Sequence, residues 1–528
     1  MRVLTSIAAA AAAVLVVATM SEAQDAAAPA APPAQEQAAD PPAPARPWPP
    51  PFYADRRFEE NWRPLDWDDP HRGARDIFDR IKALKLNDSG SVWIGFGGQQ
   101  RGRMARQSTV FYGGPGDFEP TMWTWRTRAY ADLHFGEKFR IFGEGIYSHT
   151  SIDQFRLGTF PEAPNLNGDM LNAFAEFTTP IAGSWRGGAW GGRRELLMGH
   201  ERVISPGNWL LNRHTFDGAG AWIDNGRLRI EGFVTRPHIP VPDMFSRRDD
   251  ETVFSGLIFT TALVDRPTIA PGSNAPAARE TRINIQPYVL HIKREDFTFV
   301  QHTADEDRFT FGLLAYGDVG RTGFDFEYEG MYQYGRYNTG FDKGMIHAHS
   351  TTLELGYRLA RLPFMPRPIL SFNYASGDDD QNDSRLGTFD PLYPLAYAFF
   401  GFHAAFDRKN FVTPGLHLDA VLRRNMYLRT NYFPAFWRAQ TNDGVYNTFN
   451  QIVRRPEPQS KGRGFVDLQQ ASRNLGNQWD VGVAWLPTHH LLIYGTYLRF
   501  NSGQFFVDTQ TAPKDNMNGV MILTQFTF

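Results

Sequence analysis

Long stretches of this 528-residue chain alternate between apolar residues and charged or polar residues. In the clearest stretch Trp123, Trp125 and Leu133 share one face and Arg126 and Arg128 the other, because successive side chains of a strand point to opposite sides. About thirteen residues is long for a soluble strand, whereas a membrane-crossing strand needs roughly 9–11 residues plus overhang. The pattern therefore predicts membrane-spanning strands.

The alternation recurs at 92–104, 139–148, 227–234, 324–333, 426–432, 479–485 and 492–500. In each stretch we expect the charged face to point inward, so that in the last one Arg499 lies inside and Leu498 and Phe500 lie outside. An unpaired charge in a dry core costs several kcal/mol, but it is cheap in a water-filled lumen. The charged faces therefore favour a channel over a sandwich of two sheets.

The last ten residues, GVMILTQFTF, place Val520, Ile522, Phe526 and Phe528 on one face. A final strand that closes on an aromatic residue is typical of an outer-membrane barrel, whose last strand pairs with its first and leaves no edge. An ordinary buried edge strand is the alternative. Residues 91–528, at roughly 24 residues per strand and connection, predict an all-β, antiparallel up-and-down barrel of about 18 strands. Short connections such as Gly136-Glu137 and Asn225-Gly226 fit periplasmic turns.

Ahead of the barrel we expect a signal peptide at 1–23, an Ala/Pro-rich disordered linker at 24–60 and an N-terminal segment at 61–90. A membrane anchor is the alternative for residues 1–23. Apolar residues at helical spacing, from Ile77 to Leu84, predict a short amphipathic helix near Arg75 to Leu84. This helix is expected at the periplasmic mouth or in the lumen.

The composition narrows the chemistry. The chain has no Cys, which excludes disulfides, thiolate metal sites and Cys nucleophiles. A formal charge of −3 gives no reason to expect nucleic-acid binding. There is no HExxH, GxSxG or phosphate-binding loop, so we expect no catalysis, no cofactor and no metal. The Asp378–Asp383 tract could bind Ca²⁺ but fits a solvated loop better, and His489-His490 is expected at the surface.

The inward arginines are the residues that indicate a function. Their guanidinium forks match carboxylates, and a ladder of them would lower the barrier for an anionic solute. The alternative is that they pair with inward acids and only brace the barrel. The candidate pore-lining residues are Arg101, Arg103, Arg126, Arg128, Arg140, Arg202, Arg229 and Arg429, and the acidic partners are Glu144, Glu231, Asp325 and Glu327.

Several motifs occur together along the chain. They are Gly97-Gly98-Gln99-Gln100-Arg101-Gly102-Arg103, the segment Arg126 to His134, Arg193-Arg194-Glu195-Leu196, Phe216-Asp217-Gly218, Tyr374-Ala-Ser-Gly-Asp378 and Gly387-Thr-Phe-Asp-Pro-Leu-Tyr-Pro394. In this combination the chain resembles the alginate export family over about residues 61–528. The resemblance implies an 18-stranded monomeric barrel with an electropositive constriction that passes an anionic polyuronate.

Together these observations predict a channel in the outer membrane of a Gram-negative bacterium that passes an anionic polysaccharide or oligosaccharide. A loop over 378–401 would fold over a mouth or into the lumen, with Asp378, Asp380, Thr388 and Asp390 as its candidate residues. Expected partners are the solute, outer-membrane lipid, the barrel assembly machinery acting on Phe528, and periplasmic export components. A porin for small solutes is the alternative, followed by an outer-membrane barrel enzyme.

Overall fold

The computed structural model describes residues 53–62, 76–108, 119–152, 166–241, 245–268, 278–299, 303–340, 342–395, 399–402, 406–446, 452–454, 469–509 and 516–528. Eighteen antiparallel strands form a closed barrel. They are β1 Val92–Gln107, β2 Thr121–Phe135, β3 Phe139–Ile152, β4 Leu166–Ala182, β5 Trp185–Arg194, β6 Phe216–Asp224, β7 Leu228–Ile239, β8 Thr252–Thr268, β9 Ala278–Thr298, β10 Thr303–Val319, β11 Phe324–Asn338, β12 Lys343–Tyr357, β13 Arg367–Ala375, β14 Phe411–Arg423, β15 Met426–Trp437, β16 Asn474–Trp485, β17 Leu491–Ser502 and β18 Met517–Thr527.

The barrel closes where β1 pairs with β18, in a register that runs from Gln99 opposite Thr527 to Gln107 opposite Gly519. This seam confirms the predicted up-and-down barrel of about 18 strands. Gly98 is required at the seam, because an added Cβ would lie 2.9 Å from the Phe528 ring and 2.7 Å from the Arg128 carbonyl oxygen. The motif from Gly97 to Arg103 therefore contains a glycine that the packing of the seam requires, in addition to its arginines.

The two faces of the strands differ as predicted. In β2 the side chains of Trp123 and Trp125 are exposed on the outer surface, whereas Thr124, Arg126 and Arg128 are buried inside. In β18 Val520 and Ile522 likewise face outward. An apolar outer band suits the hydrocarbon of a bilayer, and closure satisfies the backbone hydrogen bonds that lipid cannot.

The connections at the two ends of the barrel differ in length. Short turns at 136–138, 183–184 and 225–227 lie at the end where β18 finishes, and Gly136 and Gly226 adopt the positive φ angles of 63° and 84° that these tight turns require. The connections at 195–215, 376–410 and 438–473 start from the opposite end. This asymmetry is typical of short periplasmic turns and long outer loops.

The remaining described elements are small. They are 3₁₀ helices at Arg57–Glu59, Ile77–Ile81 and Gly320–Thr322, an α-helix at Gln504–Asp508, and short strands at Leu84–Lys85, Arg247–Arg248, Arg385–Leu386, Val445–Tyr446 and Ile452–Arg454. None of the helices in the described ranges is long and apolar enough to cross a membrane.

The N-terminal predictions need two corrections. The amphipathic helix near Arg75 to Leu84 is a 3₁₀ helix at Ile77–Ile81, and Leu84 pairs with β1 instead; Arg75 lies outside the described residues. Residues 53–60, which the prediction assigned to a disordered linker, are described by the structure, and Phe58 is buried inside the barrel. The predicted signal peptide and the rest of the predicted linker lie outside the described residues.

The inner face of β17 is also opposite to the prediction. Arg499 is exposed, while Leu498 and Phe500 are buried. The reason is local, because this part of the lumen is filled by an aromatic cluster of Phe400, Phe406, Phe411, Phe433, Phe436, Phe500, Phe505 and Phe506. An inner face packed against phenylalanines has to be apolar.

Candidate functional site in the barrel lumen

Three segments enter the lumen and define the candidate site. We refer to residues 53–62 as the N-terminal insert, to residues 195–215 as the first inner loop and to the described residues of 376–410, which are 376–395, 399–402 and 406–410, as the second inner loop. The two loops meet inside the barrel, where the amide of Tyr393 donates to the Val203 carbonyl at 3.0 Å and the amide of Ser205 donates to the Tyr393 carbonyl at 2.8 Å. The site is therefore built from both the barrel wall and inserted chain.

The N-terminal insert is held by aromatic packing and by hydrogen bonds to the wall. The ring of Phe58 packs edge-on against Phe142 and Phe174, with centroids 5.8 and 5.2 Å away. Arg140 Nη1 donates to the Phe58 carbonyl at 2.7 Å, and Arg57 Nη2 donates to the main-chain oxygen of Phe528 at 2.7 Å. The insert thus bridges the early strands and the closing seam.

Three of the predicted arginines meet the first inner loop through neutral oxygens. Arg101 Nη2 donates to Asn208 Oδ1 at 2.8 Å, Arg126 Nη1 donates to the Asn208 carbonyl at 3.1 Å, and Arg103 Nη1 donates to the Trp209 carbonyl at 3.2 Å. Within the described part of the chain, the remaining direct partners of these three guanidiniums are also neutral amide or carbonyl oxygens. We call Arg101, Arg103 and Arg126 the arginine triplet.

Arg128 belongs to a different environment, a buried ion network. Its Nε lies 2.9 Å from Glu144 Oε1 and its Nη2 lies 3.7 Å from Glu195 Oε2. Arg213 of the first inner loop pairs with the same Glu195 and with Asp55, whose Oδ2 is 2.9 Å from Nη2. Burial alone would raise the pKa of Asp55, but Arg213, Arg128 and Arg126 hold that pKa well below its ordinary value.

Arg202 crosses the lumen to the opposite wall. It pairs with Glu327 and Glu329 of β11 and with Glu354 of β12, at 2.9 Å for the last. Burial would lower the pKa of this guanidinium, but the three glutamates raise it above its ordinary value. His200 Nδ1 also lies 2.6 Å from Glu327 Oε2. Three carboxylates therefore surround the Arg202 guanidinium on this wall.

The remaining predicted arginines lie in ion pairs along the wall. Arg140 Nε is 2.8 Å from Glu176 Oε2. Arg229 Nη2 is 3.0 Å from Glu231 Oε2, and Arg429 Nε is 3.1 Å from Asp419 Oδ1 across the β14–β15 pair. The predicted acid Asp325 pairs with Arg367 at 2.8 Å. The Arg140 and Arg429 contacts join neighbouring strands, the Arg367 contact links β13 to β11, and the Arg229 pair lies within β7.

The four residues predicted in the second inner loop, Asp378, Asp380, Thr388 and Asp390, are partly buried and partly exposed. Thr388 Oγ1 and the Asp378 amide both donate to Asp443 Oδ2, at 2.6 and 2.9 Å, and Asp390 lies 3.0 Å from Lys409 Nζ. Asp380 is exposed. Burial, followed by the charge of Asp443, raises the pKa of Asp378 to about 7. Asp378 and Thr388 therefore tie the second inner loop to the 438–473 connection, and Asp390 ties it to Arg294 of β9.

The structure also adds residues that the sequence reasoning did not select, namely Asp55, Glu195, Asn208, Arg213 and Glu354. Glu195 lies in the motif Arg193-Arg194-Glu195-Leu196, and Arg213 lies just before Phe216-Asp217-Gly218, so the sequence near both residues could have pointed to them. Asp55 had none, because its partner Arg213 is 158 positions away. A further difference is burial. We expected the inward arginines to be exposed to water in the lumen, but the inserted segments cover those that have ion-pair partners.

A cavity of about 240 Å³ opens between the N-terminal insert, the first inner loop and the β16–β18 end of the barrel. Arg101 lines it with polar residues that include Asp55, Gln99, Asn208 and Gln525, and Leu486, Leu491, Leu492 and Leu523 add apolar surface. The cavity thus combines a guanidinium, a carboxylate, amides and apolar side chains.

Comparison with known proteins decides the family. Residues 92–520 match the family model described as alginate export, a region that begins with β1 and extends into β18. The chain belongs to the alginate export family. This family member is an outer-membrane transport channel with a porin-like barrel. None of the curated proteins compared with it matches its sequence.

Solved structures share the fold at low sequence identity. A BenF-like porin from Pseudomonas fluorescens Pf-5 is 11% identical, with a TM-score of 0.50 over 84% of this chain and 99% of that porin. Pseudomonas aeruginosa OccD3 (OpdP) is 10% identical, with a TM-score of 0.50 and coverages of 85% and 93%. Pseudomonas aeruginosa OpdQ is 11% identical, with a TM-score of 0.50 and coverages of 82% and 97%. These likenesses concern the barrel fold.

Proposed function

We propose that this alginate export family member passes an anionic polysaccharide or oligosaccharide, such as an alginate-like polyuronate, through a lumen whose selective part is lined by arginine. The observation that carries the proposal is the arginine triplet. Its guanidiniums are held by neutral oxygens, and Arg101 lines the cavity of about 240 Å³. Neutral partners orient a guanidinium without cancelling its charge.

The fork of a guanidinium suits a carboxylate, since two parallel N–H groups can donate to its two oxygens. A row of such groups binds an anion at several points and lets it move between them. Arg128 and Arg429, which directly contact carboxylates, contribute less to this attraction. We therefore assign the anion selectivity to the triplet and a bracing role to Arg128, Arg140, Arg229 and Arg429.

The wall around Arg202 contributes less to binding of the solute. Glu327 and Glu354 pair with Arg202, and Glu329 accepts a hydrogen bond from Tyr288 Oη at 2.8 Å, so these buried carboxylates already have donors. The preference for a uronate therefore rests on the triplet, which lies on the β1–β2 side of the lumen.

A porin for small solutes is the second candidate. The cavity of about 240 Å³ is below the roughly 300–1,000 Å³ of pockets that hold drug-sized ligands, and it matches a single sugar ring better than a polymer. This candidate shares the anion preference of the first and differs in the length of solute that passes.

The cellular setting belongs to the same proposal. We place the barrel in a Gram-negative bacterium, with the short turns and the N-terminal insert facing the periplasm and available to export components. We also propose that the barrel assembly machinery recognises β18 through Phe528. In the closed barrel this residue exchanges hydrogen bonds with Gly98, at 2.8 and 2.9 Å, so recognition would precede closure.

Single-channel recording in a planar bilayer tests the function. Under a KCl gradient the reversal potential is expected to show anion preference, and oligouronates added to one side are expected to block the current in steps. Neutral oligosaccharides of the same length serve as the matched control. Equal block by both would refute the anionic specificity, and block by single uronates without block by oligomers would favour the small-solute porin.

A further inference from the structure

A cluster of metal-ligating side chains lies at the short-turn end of the barrel, beside the cavity that Arg101 lines. Asp76 Oδ2 is 3.1 Å from Nε2 of His489 and 3.1 Å from Nε2 of His490. One ligand atom from each residue lies within 4.8 Å of the other two. Asp76 precedes β1, whereas the histidines end the turn between β16 and β17, so the cluster joins the two ends of the chain.

The ring of His490 is oriented by its second nitrogen. Nδ1 lies 2.7 Å from the Thr527 carbonyl oxygen, a position that requires Nδ1 to donate, because a carbonyl only accepts. In a neutral ring Nε2 then carries the lone pair, and that lone pair faces the Asp76 carboxylate. A metal-bound histidine has this arrangement, with the ligand nitrogen on one side and a backbone carbonyl behind the other.

Asp76 is oriented in a similar way. Its Oδ1 accepts a hydrogen bond from the Phe78 amide at 2.9 Å and caps the 3₁₀ helix, which leaves Oδ2 directed at the histidines. Phe78 in turn packs against His490 and Phe528, with ring centroids 5.1 and 4.9 Å away. Two of the three ligand atoms, Asp76 Oδ2 and His490 Nε2, are thus oriented by a hydrogen bond at the other end of their own side chain.

We propose that Asp76, His489 and His490 bind a divalent transition-metal ion, with zinc as the ion that the ligand set fits best. Imidazole nitrogen and carboxylate oxygen are its ordinary ligands, and Zn–N bonds of about 2.0–2.1 Å in a tetrahedron separate neighbouring ligand atoms by about 3.3 Å. The two 3.1 Å separations are close to that value. His489 is the most exposed of the three residues, so solvent can reach the fourth position.

The bound ion would fasten the N-terminal segment to the last hairpins of the barrel. His489 and His490 also line the cavity of about 240 Å³, together with Tyr53 of the N-terminal insert. Tyr53 Oη lies 3.0 Å from His490 Nδ1. The ion would therefore hold the insert at the periplasmic end. This inference does not depend on which solute the channel passes.

Calorimetric titration of Zn²⁺ into the full-length, tag-free barrel, folded in detergent and stripped with a chelator, tests the site. The parent protein is expected to bind one Zn²⁺ per chain, and Co²⁺ is expected to give a tetrahedral d–d absorption band. D76N and H490A are expected to lose more than about 100-fold in affinity, because even outer-shell substitutions cost roughly 10–100-fold. H291A is the matched control. His291 Nε2 also lies close to a carboxylate, 2.7 Å from Asp307 Oδ1, but it belongs to no group of three metal-ligating residues in the described part of the chain.

Heat-modifiable migration in gels shows whether each variant is folded, and H489A replaces H490A if the latter does not fold. Loss of Zn²⁺ binding in the folded variants with retention in H291A supports the site. The proposal is overturned if the parent protein binds no Zn²⁺, or if the variants bind it as tightly as the parent does.

Discussion

Substitution of Arg101 by glutamine tests the arginine triplet most directly. Glutamine keeps hydrogen-bonding groups for Asn208 and Gln525 but removes the positive charge that lines the cavity. If the triplet binds anionic solutes, R101Q should weaken the block of the channel by oligouronates. The fold should persist, because the neutral partners of Arg101 are not left facing an unpaired acid.

The size of the effect follows from the cavity. A sphere of about 240 Å³ has a radius of about 4 Å, so an anion at its centre lies about 6 Å from the guanidinium carbon. Coulomb's law then gives about 0.7 kcal/mol at the dielectric constant of water and about 2.8 kcal/mol at an effective constant of about 20. Since about 1.4 kcal/mol is tenfold in an equilibrium constant, the blocking constant should rise by about 3-fold to 100-fold.

The assay is block of single-channel current by an oligouronate series at two salt concentrations. Arg429 provides the matched control, because its charge is compensated by Asp419 at 3.1 Å, and R429Q should change the blocking constant by less than about 2-fold. R101K should retain part of the block, since lysine keeps the charge without the fork. Higher salt should reduce the block of the parent protein more than that of R101Q.

An unchanged blocking constant in R101Q, with the barrel folded and R429Q also unchanged, would refute the assignment of selectivity to the triplet. A larger loss in R429Q than in R101Q would move the anion site towards β15. Either result would leave the triplet with a structural role, in which these arginines only hold the first inner loop.

Three further predictions concern the inserted segments. F58A should loosen the N-terminal insert by about 3–5 kcal/mol, because it removes a buried ring, and hydrogen exchange at residues 53–62 should rise while F245A, at an exposed position, changes nothing. E195Q should destabilise the buried ion network by about 3–5 kcal/mol, measured as an earlier thermal unfolding transition. Burial raises the pKa of Asp378 from 3.8 to about 7, so between these pH values the folded second inner loop binds a proton that the unfolded chain does not. The stability that this proton contributes is fully present below about pH 4 and is lost as the pH rises through about 7. D378N should remove the resulting increase in proteolysis between pH 5 and pH 8, whereas D380N should not.

The barrel could be predicted because one physical requirement acts on every strand. Each strand crosses the same bilayer, so Trp123 and Val520 obey the same alternation although they lie at opposite ends of the sequence. Closure of the barrel adds a second requirement, because the last strand must pair with the first. The alternating sequence of β18, which continues to the end of the chain at Phe528, indicated this pairing. Short turns with glycine at positive φ complete the regularity, and these local signals were sufficient for the architecture.

The contents of the lumen could not be predicted in this way. Whether an inward arginine pairs with an acid or with an amide depends on chain that enters from elsewhere, as with Arg213 and Asp55. The inner face of β17 was assigned wrongly for the same reason, since Phe500 packs against phenylalanines from distant loops. A strand pattern records polarity and gives no information about which segment occupies the space beside it.

The contact between Arg57 and the main-chain oxygen of Phe528 has a consequence for the order of assembly. The insert binds a surface made jointly by β2–β4 and by the residue that follows β18, and this surface is complete only after β1 and β18 have joined. The insert is therefore expected to dock only after the barrel has closed. Docking of residues 53–62 would then be a late step of maturation, and a barrel whose seam has not formed would lack part of the surface that holds them.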